Sequence, residues 1–413
     1  MSVESKFKNF FFISFLLVII GTIIENYIFI TGDKSLFIDP IYSLFIILSI
    51  IIILMKFNSQ NYFIDKRNFI YIILLAYCFF QFVRPPVENI DQMVSNYWLS
   101  KFGGPYFDVI FLIPIFFLWA NNYNALYWFE KLSLLSIKVG ILSIPFSMIN
   151  NSVFLYAFFF PSYYLLAGFK HSSKTRKAWI IMGLLAGFFS FYAEHNRAGI
   201  ARILITICFL LLFRIANYSF FKIVLLSIFI FPFYIFFSIN YFDHSFFSAI
   251  LNLFQNTDSS NNFFIDTRSF LFIEIFNHFK NDGNIFIGNG GFANYYTYWF
   301  DFISSFMETS EGKYRLSMEV GFLSILLKGG IVYLLLHYLL IYQTTTYAVN
   351  NSKNIYLKNL SVIAISFLFT SSYENVLAFD TLNVSFWIIL SLLYSKKIIN
   401  LSNEDIQTIF KKL

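Results

Sequence analysis

The chain has 413 residues, of which 58% are hydrophobic, 22% aromatic and only 13% charged, with a formal net charge of +6. A soluble domain carries roughly 25% charged residues, and at a mean hydropathy of +0.66 no soluble surface could be polar enough to hide the apolar excess. These values exclude a soluble enzyme, a nucleic-acid binder and a disordered scaffold, and they predict a polytopic membrane protein whose basic residues report orientation rather than a polyanionic partner.

In chain order, apolar runs bounded by polar interruptions place spans near 9–30, 41–55, 69–83, 106–120, 132–149, 152–169, 179–193, 199–213, 223–241, 319–342, 359–373 and 382–395. That is about twelve crossings, each needing about 20 residues. The first run follows Lys6 and Lys8 and has no small-residue cleavage site behind it, so it reads as a retained span. With the N-terminus inside, eighteen of the 29 Lys and Arg fall on the cytoplasmic side and eight outside, while Lys138, Arg202 and Lys328 lie within spans. The opposite orientation would invert that ratio, so both termini are expected in the cytoplasm. The expected fold is all-α and multi-pass, one membrane domain. Spans one to nine fill 1–241, a large periplasmic loop fills 242–318, and spans ten to twelve with a cytoplasmic tail fill 319–413.

An outer connection of about 77 residues is too long to be a plain linker. Within it, 266–281 reads as a helix with Asp266 as N-cap and an apolar stripe of Phe272, Ile275, Phe276 and Phe279. Glu274, Asn277 and Lys280 are expected on other faces. Arg268, four residues before Phe272, falls on the stripe and is expected to point at a cavity.

Three polar clusters could carry chemistry. The turn Glu194-His195-Asn196-Arg197-Ala198-Gly199 joins spans seven and eight, with Arg202 about one helical turn further in. It reads either as a solvated hairpin with a snorkelling Arg197 or as an anion site, since arginine inside a span is costly and its fork suits phosphate. The segment Ile287-Gly288-Asn289-Gly290-Gly291-Phe292-Ala293 fits G-x-G-x-x-A but lacks the strand–helix setting of a dinucleotide fold. It is expected to be a tight turn between two loop helices. The third cluster opens span ten. Arg315 and Glu319 are four apart, so a helix would put both on one face, as an ion pair or as an anion binder beside a proton acceptor. Lys328 lies near mid-span, and Gly329-Gly330 would let a neighbouring helix approach closely.

Cys78 and Cys208 sit in separate apolar runs and the five histidines are scattered, so no disulfide, metal site or cofactor is expected. No internal repeat is visible, which argues against a transporter.

About twelve spans, a long outer loop and arginine-bearing outer segments resemble the O-antigen polymerase and O-antigen ligase superfamily, integral membrane glycosyltransferases of the GT-C type. The matching pieces lie in residues 190–342: His195-Asn196-Arg197-Ala198-Gly199, Thr267-Arg268-Ser269, Ile287 through Gly291, and Arg315 through Gly330. Ligases of this superfamily keep a histidine before the span that follows the loop. Residues 306–322 contain none, which favours a Wzy-type polymerase over a ligase.

The resemblance implies a glycan donor on a polyprenyl diphosphate, a lipid-linked acceptor, a chain-length regulator as partner, and an inner-membrane enzyme of lipopolysaccharide or other polysaccharide biosynthesis. Arg197, Arg202, Arg268, Arg315 and Lys328 would bind the donor. Glu319, His195 or Asp266 would be the base, with Glu319 slightly ahead. A transporter of lipid-linked sugars is the reading from another class.

Overall fold

A computed structural model describes residues 66–84, 109–110, 113, 117, 120, 124–150, 156–193, 197–216, 218–241, 268–281, 283–291, 293, 295–297, 314–315, 318–374 and 381–413. The expected spans 9–30 and 41–55, the residues His195 and Asp266, and much of the 242–318 loop lie outside the described residues.

The described chain is mostly helical. In order come α1 (Lys66–Val83), α2 (Ala125–Asn150), the short α3 (Tyr156–Phe159) and α4 (Pro161–Tyr164), a 3-10 stretch (Leu165–His171), α5 (Lys174–Ala193), α6 (Arg197–Ala216) and α7 (Phe221–Tyr241). Helix α8 (Ser269–Asn281) is followed by β1 (Tyr295–Tyr296) and β2 (Tyr314–Arg315), and then α9 (Gly321–Asn351) and α10 (Ile355–Thr370). The chain closes with α11 (Thr381–Tyr394), α12 (Lys396–Ile399) and α13 (Asn403–Lys411). The strands pair antiparallel with Tyr295 opposite Arg315, a small exception to the all-helical expectation.

Among the described residues, three stretches, Ala198–Ala216, Tyr218–Asn240 and Gly321–Asn351, are long and apolar enough to cross a membrane. Helix α7 shows why lipid suits this fold. Its Phe221, Leu225, Ile228, Ile235 and Ile239 are buried in the bundle, while Ile223, Leu226, Ile230, Tyr234 and Phe237 form a second stripe, 49–62% exposed. A helix apolar on both faces has no side to offer water. Helix α9 is central by contrast, packing against α1, α10 and α11. Polar side chains also link the helices: Thr206 of α6 shares a hydrogen bond of 2.9 Å with Ser366 of α10, an interhelical bond of the kind that apolar surroundings favour.

Two expectations need correction here. The run 152–169 does not form one span. Pro161 has no N–H to continue the ladder, and the chain restarts as α4 and then tightens into the 3-10 stretch. The glycine pair in span ten also does not serve a neighbouring helix. Gly330 (φ 67°, ψ −172°) breaks α9, which frees the carbonyls of Leu327 and Lys328 and the N–H groups of Ile331 and Val332.

The loop 285–290 takes up all four. Asn289 N donates to Leu327 O (2.9 Å) and Gly290 N to Lys328 O (2.8 Å), while Ile331 N and Val332 N donate to Ile285 O (2.9 Å) and Phe286 O (3.1 Å). From α1, Tyr77 Oη donates to Gly329 O (2.8 Å), Gln81 Nε2 to Ile287 O (2.6 Å) and Arg84 to Gly288 O (2.6 Å). Broken helix and loop satisfy each other, the condition for irregular backbone at depth in apolar surroundings. Since Gly330 lies nine residues into α9, the loop reaches about 13 Å down its flank at ~1.5 Å per residue. The glycine-rich segment does turn, with Gly288 N donating to Asn284 O at 2.7 Å, and that turn plugs the helix break.

Candidate functional site

The second site-bearing junction lies where α10 ends and α9 begins. The turn 371–374 closes α10, with Glu374 N donating to Thr370 O (3.0 Å). Its carbonyls then serve α9: Phe322 N donates to Ser371 O (2.9 Å) and Gly321 N to Glu374 O (3.0 Å). The opening N–H groups of a helix have no partner of their own, so the α10 turn acts as a backbone cap and brings Glu319 beside Glu374.

Arg268 lies just ahead of α8 and joins these carboxylates. Its Nη1 donates to Glu319, its Nη2 lies 3.5 Å from Glu374, and its Nε donates to Tyr373 O at 3.3 Å. One planar fork thus engages two carboxylates and a carbonyl, a geometry that lysine could not reproduce.

Arg202, on α6, is 4% exposed. Its guanidinium stacks over Phe160 at 5.4 Å, and its Nε has no hydrogen-bond partner. Tyr163, Tyr164, Tyr373 and Glu374 are the polar groups that act on it electrostatically. A buried guanidinium with an unused donor is an anion receptor in waiting. Burial pushes the Glu374 carboxyl above its ordinary value; Arg202 and Arg268 oppose that rise and Glu319 adds to it.

The sequence-derived residues therefore divide. Arg268 and Glu319 are in direct contact, and Arg202 faces the same turn from α6. The helical spacing expected between Arg315 and Glu319 is not there, because Arg315 is in β2 and the helix starts only at Gly321. Glu319 pairs with Arg268 instead. The Arg315 and Arg197 side chains lie outside the described residues; Arg197 is the first residue of α6. Lys328 is buried two turns into α9, at the break.

Arg268 is not on the α8 stripe; it precedes the helix and is held by carboxylates. Glu274, expected off the apolar stripe, is buried and accepts from Thr297 Oγ1 at 2.8 Å. Glu374 and Tyr373 were missed. The available signal was the polar interruption Ser371-Ser372-Tyr373-Glu374 between two spans, with an acid and no base in the segment.

At the opposite end of the bundle Arg176 of α5 pairs with Glu130 of α2, which also accepts from Tyr356 of α10. Phe410 of α13 lies over that guanidinium at 4.8 Å. All of these side chains are buried, so the cluster locks helices together. Among the described residues no group of three or more His, Cys, Asp or Glu could hold a metal ion.

Fold and site together define a mostly helical protein with helices long and apolar enough to cross a membrane and an arginine–carboxylate cluster where α6 and α9 begin and α10 ends. The chain matches no protein-family model, no curated protein and no solved structure.

Proposed function

We propose that this protein is an inner-membrane glycosyltransferase that polymerises oligosaccharide repeat units, moving a glycan from a polyprenyl-diphosphate donor to a lipid-linked acceptor on the periplasmic face. The observation that carries the reading is the junction of Arg202, Arg268, Glu319 and Glu374, supplied by segments far apart in the chain yet gathered at one end of apolar helices. Such an end would meet the diphosphate headgroup of a lipid whose tail stays in the bilayer.

The chemistry suits these groups. A diphosphate leaving group carries its own activation, so no nucleotide is needed. Fixed guanidinium groups stabilise the charge that develops on it, and a carboxylate takes the proton of the attacking sugar hydroxyl. Arg197 and Arg315 belong to the same donor-binding set in this reading, with His195 and Asp266 as other candidate bases. Lys328, two turns deeper, would meet the lipid side of the headgroup.

Deleting the gene and resolving the surface glycans on a gel tests this. Loss of a polymerase leaves single repeat units on their acceptor. Unattached lipid-linked polymer would indicate a ligase instead, and absence of glycan from the outer face a transporter.

A further inference from the structure

We infer that Glu374, and not Glu319, takes the proton from the attacking sugar hydroxyl, an inference that rests on the glycosyltransferase reading above. Glu319 is committed elsewhere. It receives the closest contact of Arg268 and is 41% exposed, so it is both ion-paired and hydrated. Glu374 is 23% exposed and sits 3.5 Å from the second nitrogen of the same fork. Its backbone is held at both ends, N–H on Thr370 and carbonyl on Gly321. The side chain rises from that turn under the influence of two guanidinium groups, Arg268 at 3.5 Å and the buried Arg202, which acts on it electrostatically.

This placement couples donor binding to base strength. A diphosphate that takes over Arg268 and Arg202 withdraws from Glu374 the cations that favour its charged form and brings negative charge beside it. Both effects raise its affinity for a proton, at the moment the acceptor hydroxyl arrives. In the transfer step the hydroxyl O–H bond breaks and its oxygen bonds to the anomeric carbon. The bond from that carbon to the phosphate oxygen breaks, its electron pair leaves on the diphosphate, and the proton ends on the Glu374 carboxylate and then in water.

Among the described residues, the groups that act on Glu374 are Arg202 from α6, Arg268 ahead of α8, Glu319 ahead of α9 and Tyr373 of its own turn. Burial already holds its carboxyl above the ordinary 4.5. The rate should therefore fall with acid at a higher pH than for an ordinary carboxylate.

The test uses the full-length protein in lipid vesicles supplied with lipid-linked repeat units. Glu374→Gln should lower kcat at least ~100-fold, within the usual range for a general base, while still binding the donor. Glu374→Asp should keep part of the activity with a displaced acid limb. Glu319→Gln, which loosens Arg268, should raise KM and leave kcat within about tenfold, a loss of ground-state binding rather than of the base.

Wild-type turnover in Glu374→Gln would overturn the inference, as would a kcat collapse in Glu319→Gln alone. Should Glu374→Gln fail to fold, the Asp variant and the wild-type profile decide: an unmoved or missing acid limb sinks the idea. A wild-type protein that polymerises no lipid-linked repeat removes the polymerase reading, and this inference with it.

Discussion

Gly288 and Gly330 lie against each other in left-handed backbone, with φ of 66° and 67°, and a Cβ on either one would collide with the backbone nitrogen of the other. The pair is the contact point between the re-entrant loop and the α9 break. It explains why three glycines, including Gly290 at φ 90°, punctuate two segments about 40 residues apart in sequence.

Alanine at these positions should separate strain from collision. Gly290→Ala meets its nearest neighbours only at 3.7 Å, so it should cost roughly 1–2 kcal/mol, the left-handed penalty of an L residue. Gly288→Ala and Gly330→Ala add overlap with backbone atoms that cannot yield, and should cost more than Gly290→Ala. Thermal unfolding in detergent, followed by loss of monodisperse protein, gives the ranking; equal shifts for all three would contradict the interlock.

The Arg268–Glu319 pair is partly exposed, at 25% and 41%, so screening limits its worth to about 0.2–1 kcal/mol. A double-mutant cycle on Arg268→Ala and Glu319→Ala should return a coupling energy of that size. Raising salt should shrink it. A coupling of zero at low salt would remove the pair from the site's architecture.

Arg202 makes the opposite prediction for stability. Its buried charge has an unused Nε, and among the described residues the Phe160 ring face, Glu374, Tyr163, Tyr164 and Tyr373 are what compensate it. Replacing a buried ion by an apolar side chain of similar volume is often neutral or stabilising, by about 1–4 kcal/mol. Arg202→Met should therefore unfold at the wild-type temperature or above it, yet bind lipid-linked donor at least ~10-fold more weakly, the loss of about 1.4 kcal/mol of binding energy. A variant that is less stable but fully active would mark Arg202 as structural.

Glu130 should behave in the reverse way. It is fully buried between Arg176 and Tyr356, and Glu130→Ala leaves that arginine uncompensated at a cost of about 3–5 kcal/mol. Yield and thermal stability should drop sharply. Whatever folds should keep wild-type turnover per molecule, because the cluster lies at the end of the bundle away from Glu374. Normal stability with lost turnover would reverse that assignment.

Composition and hydropathy by themselves established that this chain is built for apolar surroundings, because a sequence with 13% charged residues has no other way to solvate its surface. Apolar runs between polar breaks located α6, α7 and α10, and periodicity located α8, to within about four residues, whereas α9 runs to Asn351, past its expected end at 342. The cost of a charge among apolar residues was enough to single out Arg202 and Lys328.

What sits beside what was decided only by the tertiary structure. Four-residue spacing puts Arg315 and Glu319 on one face only if a helix joins them; the strand at Arg315 removes that helix, and folding brings Arg268, 51 positions away, onto Glu319. Glu374 stood alone in the sequence and became central because the α10 turn caps α9. The Gly-rich loop and the Lys328-Gly329-Gly330 break were both visible as motifs. Local pattern could not show that they complete each other, because backbone groups freed in one segment find partners only once the other has folded against it.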